Sequence, residues 1–422
     1  RNCDWSSDVC SSDLKKMAFK LCRRGLSSQA KVFLNEQTIQ VIKATAPVVA
    51  PLAKEITTTF YRTMFTNNPE ALAFFNKSHQ KNGAQPQTLA NAVVAYASNI
   101  DNLGALGGAV EKIAHRHCAL SITANLYPIV HDNLMIAIGE VLGDAVTPEI
   151  GEGWSNAVNG LGEILINAEE ALYKEAEQRS GGWRLERDFV LVNKTVLGPD
   201  IVQFEFAPAD GNTGENGFDF SAGQYLTLRL PGLPNVAPRH YTVTSEAGAK
   251  TFQCVTRLVP GGDMSTFMHS ADFVEGAAVQ MGAPYGVFVP EMLGEGPVAF
   301  LTAGSGVTPA AALLKHLHSA GQQDRIKGAF HVDRSAEHDV LRSEFEDRNV
   351  HSTTIYGEEP DLNGPITAFV ESSGTDTQYM LCGPLTFMQD TVEVLKGAGV
   401  PAGNIHYEVF STGDLSVGGR HQ

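Results

Sequence analysis

Cysteine is scarce in this chain: six residues in 422, scattered and without paired spacing. Cys118, Cys254 and Cys382 stand beside apolar residues or inside motifs, so a reduced, cytosolic setting is expected rather than a disulfide framework. Positive charge is also short. Lys and Arg number 31 against 47 Asp and Glu, a net charge of −16, which speaks against nucleic acid or an anionic membrane as partner. No apolar run reaches the roughly 18 residues that read as a membrane-spanning helix. An opening Met is missing too. The first residues, "RNCDWSSDVCSSDL", resemble translated sequencing-adapter DNA, and the basic, Ser-containing "KKMAFKLCRRGLSSQAK" is expected to be upstream or disordered sequence, with patterned protein from about Val32.

What is present suits two or three domains: 43% hydrophobic and 18% charged residues. From Asn35 to about Gln178 apolar residues recur at three and four, and strand-like alternation is missing. Helices are predicted over 36–46, 51–65, 70–75, 86–100, 107–120, 125–142 and 148–177, with Asn35 capping the first and Pro128 in the opening turn of the sixth. "RSGGW" (179–183) breaks the pattern as a linker. The 41 glycines and 20 prolines lie mostly in the second half, as turns. There "DFVLVNKTVLG", "IVQFEFAPA", "QYLTLRLP", "HYTVTS" and "TFQCVTRLV" are short β-rich runs, as in an antiparallel barrel. From about Gly296 strands alternate with helices, which predicts a parallel sheet.

In "AVEKIAHRHCAL" (109–120) a helix stacks His117 over Ile113, Ala114 and Val110, and His115 over Glu111 and Lys112. His117 is thus expected to face an apolar interior and His115 water. An interior histidine of this kind fits a core residue with a satisfied hydrogen bond as well as a metal ligand, and spacing alone does not choose between them.

Four motifs stand out in the second half. "TAGSGVTPAAALL" (302–314) follows a strand and opens a helix; Gly304 and Gly306 allow a backbone turn to approach a pyrophosphate, although a plain tight turn fits a lone glycine loop equally. "PRHYTVTS" (238–245) puts Arg239 and Tyr241 on one strand face, where a phosphate contact and a ring-stacking surface converge. "PGGDMSTFMH" (260–269) adds Gly261 and Gly262, then Ser265 and Thr266 at a helix start. "LCGP" (381–384) ends a strand at the carboxyl edge where parallel sheets bind ligands.

Together the four resemble the ferredoxin–NADP reductase family over about 184–412. The resemblance implies that Arg239, His240, Tyr241 and Thr242, with Tyr225 and the 261–266 turn, hold FAD. It implies that Gly304, Ser305, Gly306, Val307, Thr308 and Pro309 receive the nicotinamide nucleotide, with Cys382, Gly383 and Pro384 near the nicotinamide. The closing segment Glu408, Val409, Phe410, Ser411 and Thr412 would cover the flavin, Phe410 over its ring; it reads "VFSTG" where relatives often have Phe-Gly-Pro.

The helical half resembles bacterial globins, and the whole resembles a flavohaemoglobin from about 33 to 412, on "TFYRTMFTNNPE", "FFNKSHQKNGAQ", "AYASNIDNL" and "EKIAHRH". That resemblance implies a multidomain chain: an all-α globin (33–178), an antiparallel β-barrel FAD domain (184–290) and an α/β parallel-sheet NAD(P) domain (291–412), between an extension (1–32) and a tail (413–422). It makes His117 the proximal ligand of haem b, with Tyr127 and Glu169 hydrogen-bonded around its imidazole and Arg116 toward a propionate. Tyr61 and Gln85 would hold bound oxygen on the distal side, beside Phe75 and Leu89. The implied activity is nitric oxide dioxygenation, with electrons from NAD(P)H through FAD to haem. The alternatives are a plain oxygen, ferric-iron or peroxide reductase and an oxygen sensor or store; a store needs no attached flavin. The partners implied are small molecules only, O2, NO and NAD(P)H, for a cytoplasmic monomer without nucleic acid or an obligatory protein.

Overall fold

A computed structural model describes residues 28–75, 84–233, 236–358 and 360–410. Ser411, Thr412, the tail and most of the expected extension lie outside the described residues. The chain divides into two compact units, Arg1–Glu175 and Ala176–Gln422.

Among the described residues the first unit is helical: α1 (Ser28–Phe33), α2 (Glu36–Val49), α3 (Ala53–Asn67), α4 (Ala84–Ser98), α5 (Gly107–Ala119), α6 (Tyr127–Leu142) and α7 (Pro148–Gln178), whose last residues enter the second unit. A 3-10 turn, Pro69–Phe74, follows α3. Helix formation starts at Ser28, ahead of the expected Val32, because Ala30 is fully buried. Asn35 caps α2, its side chain accepting from the Thr38 N–H at 2.9 Å. Ile42, Ile56, Phe60, Met64, Ile138 and Trp154 belong to one buried cluster, so the apolar stripes of α2, α3, α6 and α7 close a shared core.

The second unit holds two sheets. Strands β1 (Glu186–Gly198), β2 (Ile201–Pro208), β3 (Tyr225–Arg229), β4 (Arg239–Thr242), β5 (Phe252–Arg257) and β6 (Ala278–Gly282) pair antiparallel in the order β4-β3-β6-β1-β2-β5. The Thr244 N–H donates to the Gln253 carbonyl at 2.8 Å, which joins the β4 end to β5 and curls the sheet toward a barrel. A short helix, α8 (Asp263–His269), precedes β6. Residues 179–183, expected as a linker, are packed instead. Trp183 is buried against Phe189, Phe218 and Phe252, and its indole N–H donates to the Met281 carbonyl.

The other sheet is parallel: β7 (Val298–Ala303), β8 (Ile326–Asp333), β9 (Ser352–Tyr356), β10 (Gln378–Cys382) and β11 (Ile405–Glu408), in the order β11-β10-β7-β8-β9. Helices α9 (Val307–Ser319), α10 (Arg342–Glu346), α11 (Asn363–Ser373) and α12 (Leu385–Gly397) alternate with the strands. The chain runs β7-β8-β9 one way and resumes at β10 on the other side of β7. The strand order therefore reverses between β7 and β10, whose carboxyl ends form the crevice where such sheets bind ligands. No described helix is long and apolar enough to cross a membrane.

Candidate functional site

The helical unit gathers its polar chemistry around His117, in the last turn of α5. The Nδ1 of His117 lies 2.7 Å from Glu169 Oε1 on α7 and 3.3 Å from the hydroxyl of Tyr127, the first residue of α6. That hydroxyl in turn donates to the same Glu169 oxygen at 2.5 Å. A carboxylate accepts only, so Nδ1 carries the proton, and in the neutral ring Nε2 then holds the lone pair. Nε2 forms no hydrogen bond among the described residues. Burial, then the Glu169 charge, pushes the Tyr127 hydroxyl far above its ordinary range, so it stays a donor. Glu169 is almost wholly buried, whereas Glu170 turns outward to pair with Lys174.

Two sequence expectations change here. His117 meets a buried carboxylate and a phenol, partners that its apolar helix face did not show, and His115 is half-buried and engaged rather than in water. The wheel of one helix does not see what α6 and α7 bring.

On α3, the Tyr61 ring packs edge-on to Phe60 and Phe75, with centroids 4.9 and 5.7 Å away, and stacks with Phe65 at 5.8 Å. Its hydroxyl makes no hydrogen bond among the described residues, and burial raises its pKa well above the ordinary phenol value. The Thr57 hydroxyl, one turn earlier, donates to the Pro86 carbonyl at 2.9 Å and ties the opening of α4 to α3. Gln85 sits in that opening turn, its Oε1 buried without a partner, and Leu89 follows one turn on in the core cluster with Phe75. A buried unpaired amide oxygen is costly unless a ligand answers it. A bare imidazole nitrogen, an unpartnered phenol and an orphaned amide fit the donor set of a haem with a distal ligand. Arg116 precedes His117 on α5 and is half-buried and engaged.

In the barrel, β4 pairs with β3 so that Arg239 and Tyr241 alternate with His240 and Thr242. Tyr225 and His240 share a face, their rings 4.8 Å apart, and His240 Nδ1 meets the Thr227 hydroxyl at 2.7 Å. Arg239 is half-buried; burial lowers its pKa, while Tyr241 and Asp263 act to raise it. Its Nη1 donates to the Ala237 and Pro238 carbonyls at 2.9 and 3.0 Å. Ser265, just after the Gly261–Gly262 turn, spends its hydroxyl within the protein: it accepts from the Val259 N–H at 3.1 Å and braces the turn. Thr266 is exposed.

At the β7–β10 crevice, Gly304 (φ +54°) opens a 3-10 turn to Gly306 and then α9. A Cβ on Gly306 would stand 2.1 Å from the Cys382 carbonyl oxygen and 2.7 Å from the Gly383 nitrogen. The Gly304–Gly306 turn and the "CGP" turn thus touch backbone to backbone, possible only without a side chain. Val307, Thr308 and Pro309 are buried, the Thr308 hydroxyl donating to the Ser305 carbonyl at 2.9 Å. Burial, with the Glu408 charge behind it, holds the Cys382 thiol protonated well above its usual range. Pro384 caps α12, Val409 is buried, and Phe410 is 52% exposed.

Sequence reasoning missed one cluster in this unit. Arg257, Thr302, His331, Asp333 and Asp339 converge at the carboxyl ends of β5, β7 and β8. The signal available was a charged residue ending an apolar run, in "CVTR" and "AFHVD".

Two family models match the chain: "Globin" over residues 58–165 and "Oxidoreductase FAD-binding domain" over 188–289. The flavohemoprotein of Halalkalibacterium halodurans is 34% identical over 407 residues, 89% of this chain and 97% of that protein. Flavohemoprotein A of Dictyostelium discoideum is 34% identical over 399 residues, covering 89% and 98%. The crystal structure of flavohemoglobin from Malassezia yamatoensis, with bound FAD and heme, superposes with a TM-score of 0.76 at 28% identity, over 90% of this chain and all of that one. With a histidine–carboxylate pair in its globin and a glycine turn at the reversal of its parallel sheet, the chain belongs to the flavohemoproteins.

Proposed function

We propose that this flavohemoprotein is a nitric oxide dioxygenase, a cytoplasmic monomer that needs no protein partner. The observation that carries the reading is the Glu169 carboxylate on His117 Nδ1. It gives the imidazole anionic character, which favours oxygen activation over storage. Haem b would be held by His117 Nε2, with Phe75, Leu89 and Arg116 around it. FAD would be held by Tyr225 and the Arg239–Thr242 strand, and NAD(P)H by the Gly304–Pro309 and Cys382–Pro384 turns. When bound, the three supply hydride acceptance, one-electron delivery and oxygen chemistry, so that two NO and two O2 with one NAD(P)H give two nitrate, NAD(P)+ and a proton.

The protein's own groups divide the work. Glu169 holds the Nδ1 proton of His117 and fixes its tautomer, and Tyr127 spends its hydroxyl on keeping that carboxylate in place. Tyr61, held protonated by its burial, serves as a hydrogen-bond donor on the distal side and not as a base. Gln85 adds a second polar contact there. Cys382, also protonated, presents a neutral thiol rather than a charge beside the place where hydride departs.

The test is NO consumption by the purified, cofactor-loaded chain with NADH or NADPH, with nitrate measured as product. Stoichiometric nitrate is expected. Consumption of NAD(P)H and oxygen without nitrate from NO would assign the chain to the plain reductases.

A further inference from the structure

Arg257 ends β5 of the barrel but spends its guanidinium on the parallel sheet. Its Nη2 donates to both carboxylate oxygens of Asp333, at 3.1 and 2.9 Å. Its Nε faces Asp200 at 3.8 Å, too far for a hydrogen bond, and is left buried and unpaired. Its Nη1 lies 3.1 Å from the point that a Cβ on Gly304 would occupy. One side chain therefore pairs with the end of β8 and fills the space beside Gly304 at the start of the nucleotide turn.

Stability does not explain this arrangement well. Asp333 is 4% exposed, and a buried ion pair recovers little beyond its own desolvation, so an apolar pair of similar volume would serve the core as well. The placement explains it better. The Gly304–Gly306 turn is pressed on one side by the Cys382–Gly383 backbone, against which Gly306 has no room to move. Arg257 closes the other side. Asp333 is the last residue of β8, and its backbone carbonyl accepts from the Gly357 N–H beyond β9 at 2.9 Å, so the strand end that Arg257 grips is itself anchored.

We infer that Arg257 is a positioning residue for the nicotinamide nucleotide: paired with Asp333, it holds the Gly304–Gly306 turn in register with the "CGP" turn so that the turn's backbone is preorganised for the diphosphate. The inference rests on the assignment of that turn to NAD(P)H. It requires no contact between Arg257 and the nucleotide.

The test uses the full chain loaded with haem and FAD, with NAD+ and NADP+ titrated separately by calorimetry and flavin reduction followed by stopped flow. Three forms are compared: wild type, Arg257→Lys, and the double variant Arg257→Met with Asp333→Asn, which leaves no uncompensated buried charge. The double variant should keep its FAD, haem absorption and melting temperature, yet bind the nucleotide about tenfold more weakly, a change of about 1.4 kcal/mol. Arg257→Lys keeps an ion pair with Asp333 but has no second guanidinium nitrogen to lie against Gly304. It should retain stability without regaining full affinity, which separates positioning from a structural role. Wild-type affinity in both altered forms would overturn the inference alone, as would a loss of affinity that only tracks lost FAD or melting temperature. Failure of the wild type to bind either nucleotide would overturn the assignment of the turn, and the inference with it.

Discussion

Tyr61 shows what a single side chain contributes when the rings packed around it are apolar. Phe60, Phe65 and Phe75 fix its ring on three sides, and among the described residues none gives its hydroxyl a partner. Burial keeps the phenol protonated at any physiological pH, so it has a donor to offer and nothing among the described residues to offer it to. If bound oxygen is the acceptor, Tyr61→Phe forfeits about 1–3 kcal/mol of stabilisation. Oxygen should then leave about ten- to a hundredfold faster, by the usual conversion of energy into rate. Nitrate formation should fall most at low oxygen and recover partly at high oxygen, while flavin reduction by NAD(P)H is unchanged. Flash photolysis of the reduced protein measures the oxygen rate directly. An unchanged rate removes Tyr61 from the distal side.

At the level of elements, the parallel sheet places its ligand edge by one close approach, that of Gly306 to the Cys382 carbonyl. The obstruction is backbone, which cannot swing away as a side chain end does. Gly306→Ala should therefore shift both turns, lowering stability by about 1–3 kcal/mol, the usual cost of overpacking. Calorimetric titration should show nucleotide binding weakened far more than FAD content, because the contacts proposed for FAD lie on β3 and β4. Equal loss of both would mean that the two turns support the whole unit rather than the nucleotide. The glycine itself was legible in "TAGSGVTP", since a strand and a helix flank it; its opponent was not, because Cys382 lies in a different strand–helix unit. The same holds elsewhere. Helices α2 to α7 follow from apolar spacing within each segment, yet the sequence pattern passes over β6, β9 and α11. β6 is five residues long, β9 reads "STTIY" at a half-buried sheet edge, and α11 opens on "NGP". His117 stands out through its own helix, whereas Glu169 acquires meaning only through a partner 52 residues away, and here the family likeness supplied the link. Arg257 and Asp333, 76 residues apart and in different sheets, had neither local spacing nor likeness to mark them.

Taken as a whole molecule, the chain holds several separate buried clusters among its described residues. The helical unit closes around Ile42, Phe60, Ile138 and Trp154, while the parallel sheet is filled from both faces by clusters containing Leu301, Phe330 and Leu381 on one and Phe300, Leu313 and Met380 on the other. Each of these clusters lies within one unit, so the loss of a ligand in one unit is expected to leave the fold of the other in place. That independence makes His117→Ala a clean experiment. The alanine removes the bare Nε2 and leaves Glu169 and Tyr127 still bonded to each other, so no new buried charge is left without a partner. Purified from cells supplied with a haem precursor, the variant should lack the Soret band but retain FAD at the wild-type ratio. NAD(P)H should still reduce the flavin, and an artificial one-electron acceptor should still be reduced at the wild-type rate, while nitrate production from NO stops. A variant that retains its full Soret band would show that another residue ligates the iron. Loss of both cofactors together would show instead that the units depend on each other for folding, and the division of labour would have to be redrawn.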